Sequence, residues 1–288
     1  MPTSPVSSVN PLCSISGRAR CLARFLIVFL VALLLTTAYW LLFSRAEIPF
    51  LTLDGDAADI ASMAAAHEHP EKFAPDPVFG RDGSIAYYRS DLLPVLRMLK
   101  EYVGDYGTVF ALLTIPMLAF QITGTFLLGT LLLKNAAAAA MLSALLLIPV
   151  SLPGGEYWGL YPQTVPRNIF SAFLPWLLAL LVLLHNRPAL WALPTILLAL
   201  MARIHPLSGI AWIVIVSFFF LQHFPKHWKM ASKLLLAAVL PAMFLFIAAE
   251  PYLAFAHRSD PAPSELTREA AEKIINMHCF PYQSPAVY

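Results

Sequence analysis

Seven apolar runs leave this chain few folds to adopt: Phe25–Phe43, Val109–Leu133, Ala136–Leu152, Ile169–Leu184, Ala189–Ala202, Pro206–Gln222 and Leu234–Ala249. An α-helix needs about 20 apolar residues to cross a hydrocarbon core of roughly 30 Å. Backbone in lipid must also satisfy its own hydrogen bonds, which a helix does. The runs therefore predict an all-α, polytopic helical membrane protein with about seven transmembrane helices. Only 12% of the 288 residues are charged, against about 25% in soluble domains. The first run ends in Tyr39 and Trp40 and is followed by Arg45. It is longer than a signal-peptide core of roughly 7–15 residues and lacks a small-residue cleavage site. It reads as a retained span with an interfacial aromatic anchor.

Charge sets the expected orientation. With the N-terminus inside, the cytoplasmic segments hold Arg18, Arg20, Arg24, Lys134, Arg187, Lys226, Lys229 and Lys233 and no acidic residue. All 17 Asp and Glu fall in the opposite set. Short loops rich in Lys and Arg stay in the cytoplasm. The division is then a cytoplasmic N-terminus (1–24), a membrane domain (25–249) that includes an outer loop (44–106), and an extracytoplasmic tail (250–288). The expected location is a bacterial inner (plasma) membrane, with membrane lipid as a constant partner. A net charge of +2 and the lack of a basic patch with interleaved aromatics exclude nucleic acid as a partner. Cys13, Cys21 and Cys279 supply no disulfide framework.

The stretch Ala189–Gln222 is too long for one straight crossing, at about 50 Å for 1.5 Å per residue. Two crossings leave only Arg203, Ile204 and His205 between them. Pro206 favours a break there, because the residue before proline avoids helix. Such a turn is tolerated at membrane depth only inside protein or beside a water-filled cavity. In the outer loop, Asp56–His69 reads as one helix ending at Pro70. Ser84–Tyr102 reads as a second, bent at Pro94, with an apolar face at Leu92, Leu93, Leu96 and Leu99. Both are expected to lie parallel to the membrane.

Asp54, Asp56 and Asp59 open that loop. Asp54 and Asp56 flank a glycine and can approach a hard divalent cation, Mg or Mn. Either alone can take a proton from a hydroxyl. Asp56 with Asp59 three residues on equally suits a helix N-cap, and the two roles are compatible. Arg203 and His205 sit at the turn, where a charged residue faces a partner or cavity. Arginine's planar fork suits phosphate. Arg167, before the fourth run, can also reach a phosphate, and Glu156-Tyr157-Trp158 beside it reads mainly as an interfacial anchor. His67-Glu68-His69 reads as a solvated surface, since residues two apart leave a helix in different directions. There is no Walker loop, HExxH, GxSxG or CxxC.

One span followed by an outer loop that opens on Asp54-Gly55-Asp56 and carries two helices resembles the GT-C superfamily of integral membrane glycosyltransferases. The resemblance covers about Phe25 to Ala249. It implies a glycosyltransferase with a polyprenyl-phosphate-linked sugar donor and catalysis on the extracytoplasmic face. Asp54 or Asp56 would be the base or metal ligand, and Arg203, His205 and Arg167 would hold the donor phosphate. Family members usually continue with further spans and often a soluble domain, so this chain is expected to be a truncated or minimal member. A non-catalytic membrane transporter or assembly subunit is the alternative, with the turn at Arg203–His205 as its substrate site. The enzyme reading requires Asp54–Asp56 to meet Arg203 or Arg167 over a cavity.

Overall fold

The computed structural model describes residues 23, 26–38, 55–76, 79, 90–148, 150–151, 157–158, 164–223, 228–229 and 232. Leu234–Ala249, the tail, Asp54, Glu156 and most of the N-terminal segment lie outside the described residues. In chain order the helices are α1 (Leu26–Ala38), α2 (Gly55–Glu68), α3 (Pro70–Phe73), α4 (Leu92–Val103), α5 (Tyr106–Leu133), α6 (Ala136–Leu145), α7 (Pro166–Leu184), α8 (Ala192–Ile204) and α9 (Pro206–His223). Besides helices and the turns between them, the described residues form a short antiparallel pairing, Val150–Ser151 with Tyr157–Trp158.

Three of the helices, α5, α7 and α9, are long and apolar enough to cross a membrane. This is compatible with an integral membrane protein. Their 28, 19 and 18 residues correspond to about 42, 28 and 27 Å. α1, α6 and α8 are apolar but shorter, at 13, 10 and 13 residues, about 15–20 Å each. Large apolar side chains also face outward, among them Leu207 (77% exposed) and Phe218 (62%) on α9 and Met141 (71%) on α6. Surfaces this apolar suit lipid.

Close contacts fix the run of the bundle. The Trp176 indole of α7 donates to the Phe120 carbonyl of α5 at 2.9 Å and stacks on the Phe120 ring. A Cβ at Gly124 would come within 2.5 Å of that indole, so glycine sets the α5–α7 approach. At one end of the bundle, the Trp191 indole donates to the Leu184 carbonyl at 3.0 Å and stacks on Phe220. This joins the end of α7, the start of α8 and the end of α9. At the other end, Gly209 of α9 presses on Ala202 of α8, and the Phe170 ring of α7 meets His205 edge-on. α7, α8 and α9 are therefore successive antiparallel neighbours.

That second end also carries the polar helices. Ala57, Ile60, Ala61 and Ala64 of α2 and Leu92, Leu93 and Leu96 of α4 pack on Val109 and Phe110 of α5 and on Val165. Asp105 starts α5 by accepting from the Thr108 N–H at 2.8 Å and the Thr108 hydroxyl at 2.6 Å. These bonds, the hydroxyl's first, hold the Asp105 carboxyl below its ordinary range. All described Asp and Glu lie between 56 and 105, at this end, whereas Lys134 and Arg187 lie at the other.

Two expectations are corrected here. The helix expected from Ser84 to Tyr102 with a bend at Pro94 begins, among the described residues, at Leu92. Pro94 then sits in the first turn, where its missing N–H breaks no helical bond, so it causes no bend. Ser90 and Asp91 stay out of the helix because they bond to the α8–α9 junction instead. The apolar face of α4 packs mainly on protein, on α2 and α5. The second correction concerns Ala136–Leu152, where regular helix stops at Leu145.

Candidate functional site

The N-termini of α2, α7 and α9 converge on one cavity of about 240 Å3. α2 brings Asp56, Asp59, Ile60 and Met63; the start of α7 brings Val165, Pro166 and Arg167; the α8–α9 junction brings His205. Helix N-termini carry partial positive charge, and the starts of α7 and α9 lie at this space with Arg167 and His205. Asp56, in the first turn of α2, offsets that charge from within. Asp59, one turn on, lies on the same side of α2.

Asp56 and Arg167 meet at 3.6 Å, with side chains 63% and 64% exposed. The pair is long and solvated, so a ligand can displace either partner at small cost. Arg167 stands in the first turn of α7, where a cation opposes the helix dipole. The carboxylate of Asp56 and the cavity, not the helix, favour it there.

His205 lies outside both helices and caps α9. Its Nδ1 accepts the Ser208 N–H at 3.3 Å and lies 2.8 Å from the Ser208 hydroxyl. Its carbonyl accepts the Gly209 N–H at 3.0 Å. Burial first, and the Arg167 charge second, hold its imidazole below the ordinary histidine range.

Arg203 is placed elsewhere. Its guanidinium pairs bidentately with Asp91, Nε to Oδ2 and one terminal nitrogen to Oδ1 at 3.0 Å. The Asp91 N–H donates to the Arg203 carbonyl at 3.1 Å, and the Ser90 hydroxyl donates to the Ile204 carbonyl at 2.7 Å. Four hydrogen bonds thus clasp the start of α4 to the end of α8. Of the residues singled out from the sequence, Asp56, Arg167 and His205 come together around the cavity, and Arg203 does not line it. Asp91 was not singled out: nothing in the spacing of residues 91 and 203 announces that they meet.

The same end holds the Glu68–Lys100 pair at 2.9 Å. Burial works against the Glu68 carboxylate, but Lys100 first, then Tyr106 and Arg97, outweigh it and hold its pKa below the ordinary range. His69 lies 3.6 Å from Glu71. Among the described residues no three His, Cys, Asp or Glu gather to hold a metal ion. Asp56 and Asp59 supply two carboxylates, one of them matched by Arg167, and Asp54, the other expected cation ligand, lies outside the described residues. No family model, curated protein or solved structure matches the chain.

Proposed function

We propose that this protein is a glycosyltransferase that moves a sugar from a polyprenyl-phosphate-linked donor to an acceptor hydroxyl on the extracytoplasmic face of a bacterial plasma membrane. The observation that carries the proposal is the loose Asp56–Arg167 pair over a cavity at the acidic end of an apolar bundle. That end combines what such a transfer needs: a carboxylate that can take a proton, a cation for a leaving phosphate, and an apolar flank for a lipid chain.

In the proposed reaction the donor phosphate draws Arg167 away from Asp56 and frees the carboxylate as base. Asp56 takes the proton of the acceptor hydroxyl while that oxygen bonds to the anomeric carbon. The bond from that carbon to the phosphate oxygen breaks, and its electron pair leaves on the polyprenyl phosphate. Arg167 offsets the charge that develops there. The full reading has about seven spans, α8 and α9 crossing as a pair, α2 and α4 parallel to the membrane, and the N-terminus in the cytoplasm.

Two experiments test the proposal. The first follows sugar transfer from a lipid-linked donor in membranes, where wild-type protein is expected to transfer and Asp56→Asn to fail. Absence of transfer by the wild type removes the enzyme reading and favours a transporter or assembly subunit. The second labels single cysteines from outside intact cells after Cys13, Cys21 and Cys279 are replaced. Position 82 is expected to react and position 227 to stay protected; the reverse pattern overturns the topology.

A further inference from the structure

His205 is bound in a way that decides which of its nitrogens carries the proton. A backbone N–H can only donate, so the 3.3 Å contact from Ser208 N–H makes Nδ1 an acceptor. The Ser208 hydroxyl, at 2.8 Å from the same nitrogen, must then donate as well. A ring that accepts at Nδ1 is neutral and carries its proton on Nε2. Nδ1 is turned to the first turn of its own helix, so Nε2 is the nitrogen left for the cavity that the ring lines.

The cavity has two unlike sides. α2 offers the carboxylates of Asp56 and Asp59. The starts of α7 and α9 offer Arg167, His205 and two positive helix ends. A donor that accepts nothing at Nε2 belongs with the second side. We propose that His205 is a neutral hydrogen-bond donor of fixed tautomer, whose Nε2–H holds a phosphoryl oxygen beside Arg167 and which takes no part as a base. This rests on the glycosyl-transfer reading for the source of the phosphoryl group; the tautomer and the donor role rest on the geometry alone. Ser208 is the positioning residue, because both of its donors hold Nδ1.

The test has a spectroscopic arm and a kinetic arm. Histidine-selective 15N labelling of the full chain is carried out in maltoside micelles without phosphate, and the His205→Gln spectrum identifies the resonance. Across about pH 6–8, Nδ1 is expected to show the shift of an unprotonated nitrogen and Nε2 that of a protonated one. Inorganic phosphate, or a polyprenyl phosphate added to the micelle, is expected to move the Nε2 signal. Response to either supports the proposal, and a response to the lipid at far lower concentration assigns the source to the membrane. An Nδ1–H tautomer, an imidazolium in this range, or a signal indifferent to both probes overturns it. In the kinetic arm, His205→Asn keeps a capping side chain but cannot reach the Nε2 position, and His205→Gln can. Asn is expected to lower kcat/KM by about 10²-fold with thermal stability kept, and Gln to remain within about tenfold of wild type. An active Asn variant beside an inactive Gln variant sinks the donor role. The spectroscopic arm needs no turnover, so a wild type without transfer removes the proposed function and leaves this inference standing or falling on its own.

Discussion

Two Asp–Arg pairs sit at the same end of the bundle and differ in nearly every physical respect. Asp91–Arg203 is bidentate, part-buried, and backed by one backbone bond from Asp91 and a hydroxyl bond from Ser90. Asp56–Arg167 is a single contact of 3.6 Å between side chains nearly two-thirds exposed. A pair fixed by four hydrogen bonds holds one geometry, and removing one partner leaves the other charge poorly matched. A long solvated pair contributes little to stability and exchanges partners easily. The contrast separates a clasp from the pair to which the proposed reaction is assigned. Arg203 ties α4 to the junction that presents His205, whereas Arg167 is available to a ligand.

The largest expected effect breaks the comparison on the working side. Asp56→Asn keeps the size of the side chain in the first turn of α2 but loses the charge that takes a proton. In the proposed reaction it lowers turnover by roughly 10²–10⁴-fold, while membrane yield and melting temperature barely move. Wild-type transfer by this variant, measured with a lipid-linked donor, would leave Asp56 only the role of offsetting the α2 dipole. Arg167→Gln is expected next, with transfer down by roughly 10²–10³-fold and a melting temperature within about 1 °C of wild type. On the other side, Asp91→Asn is expected to lower the melting temperature by about 2–4 °C and transfer by less than about tenfold. Swapped outcomes for Arg167 and Asp91, a stability defect at the first and an activity defect at the second, would mean that the clasp and the site had been assigned the wrong way round.

Long-range pairing explains what the sequence made legible and what it hid. The break between α8 and α9 was readable from length, charge and Pro206, because helix ends are local events. So was α2 from Asp56 to the proline at position 70. The spacing of Ser84–Tyr102 overran α4, because Ser90 and Asp91 look compatible with helix until their partners at residues 203 and 204 are seen. The same blindness placed Arg203 with the phosphate ligands. Its role is set by a residue 112 positions away, and a periodicity argument reaches only along one helix. Arg167 and His205 carried the opposite weakness, as single polar residues at helix starts whose meeting with Asp56 no local pattern encodes. Asp54, paired with Asp56 in the sequence argument, lies outside the described residues, so the division of labour between the two falls to the Asn variants of each.

The smallest expected effect sharpens the contrast by supplying a third pair, the least exposed of the three. Glu68–Lys100 joins α2 to α4 at 2.9 Å, with side chains 14% and 30% exposed, so it is better shielded than the Asp56 pair. Its partners hold the Glu68 carboxyl below its ordinary value. The folded state therefore binds its proton less readily than the unfolded chain does. The stabilisation is present in full above the ordinary glutamate value of about 4.3 and is lost as pH falls through the folded value. Glu68→Gln removes the charge at every pH. It is expected to lower the melting temperature by about 1–3 °C at neutral pH, and the difference from wild type is expected to close as the solution is acidified below the ordinary value. Transfer at neutral pH is expected to stay within about twofold, because Glu68 does not line the cavity. Thermal scans of both proteins across the acidic range decide the matter. A gap that persists at low pH would show that Glu68 acts through packing and not through its charge.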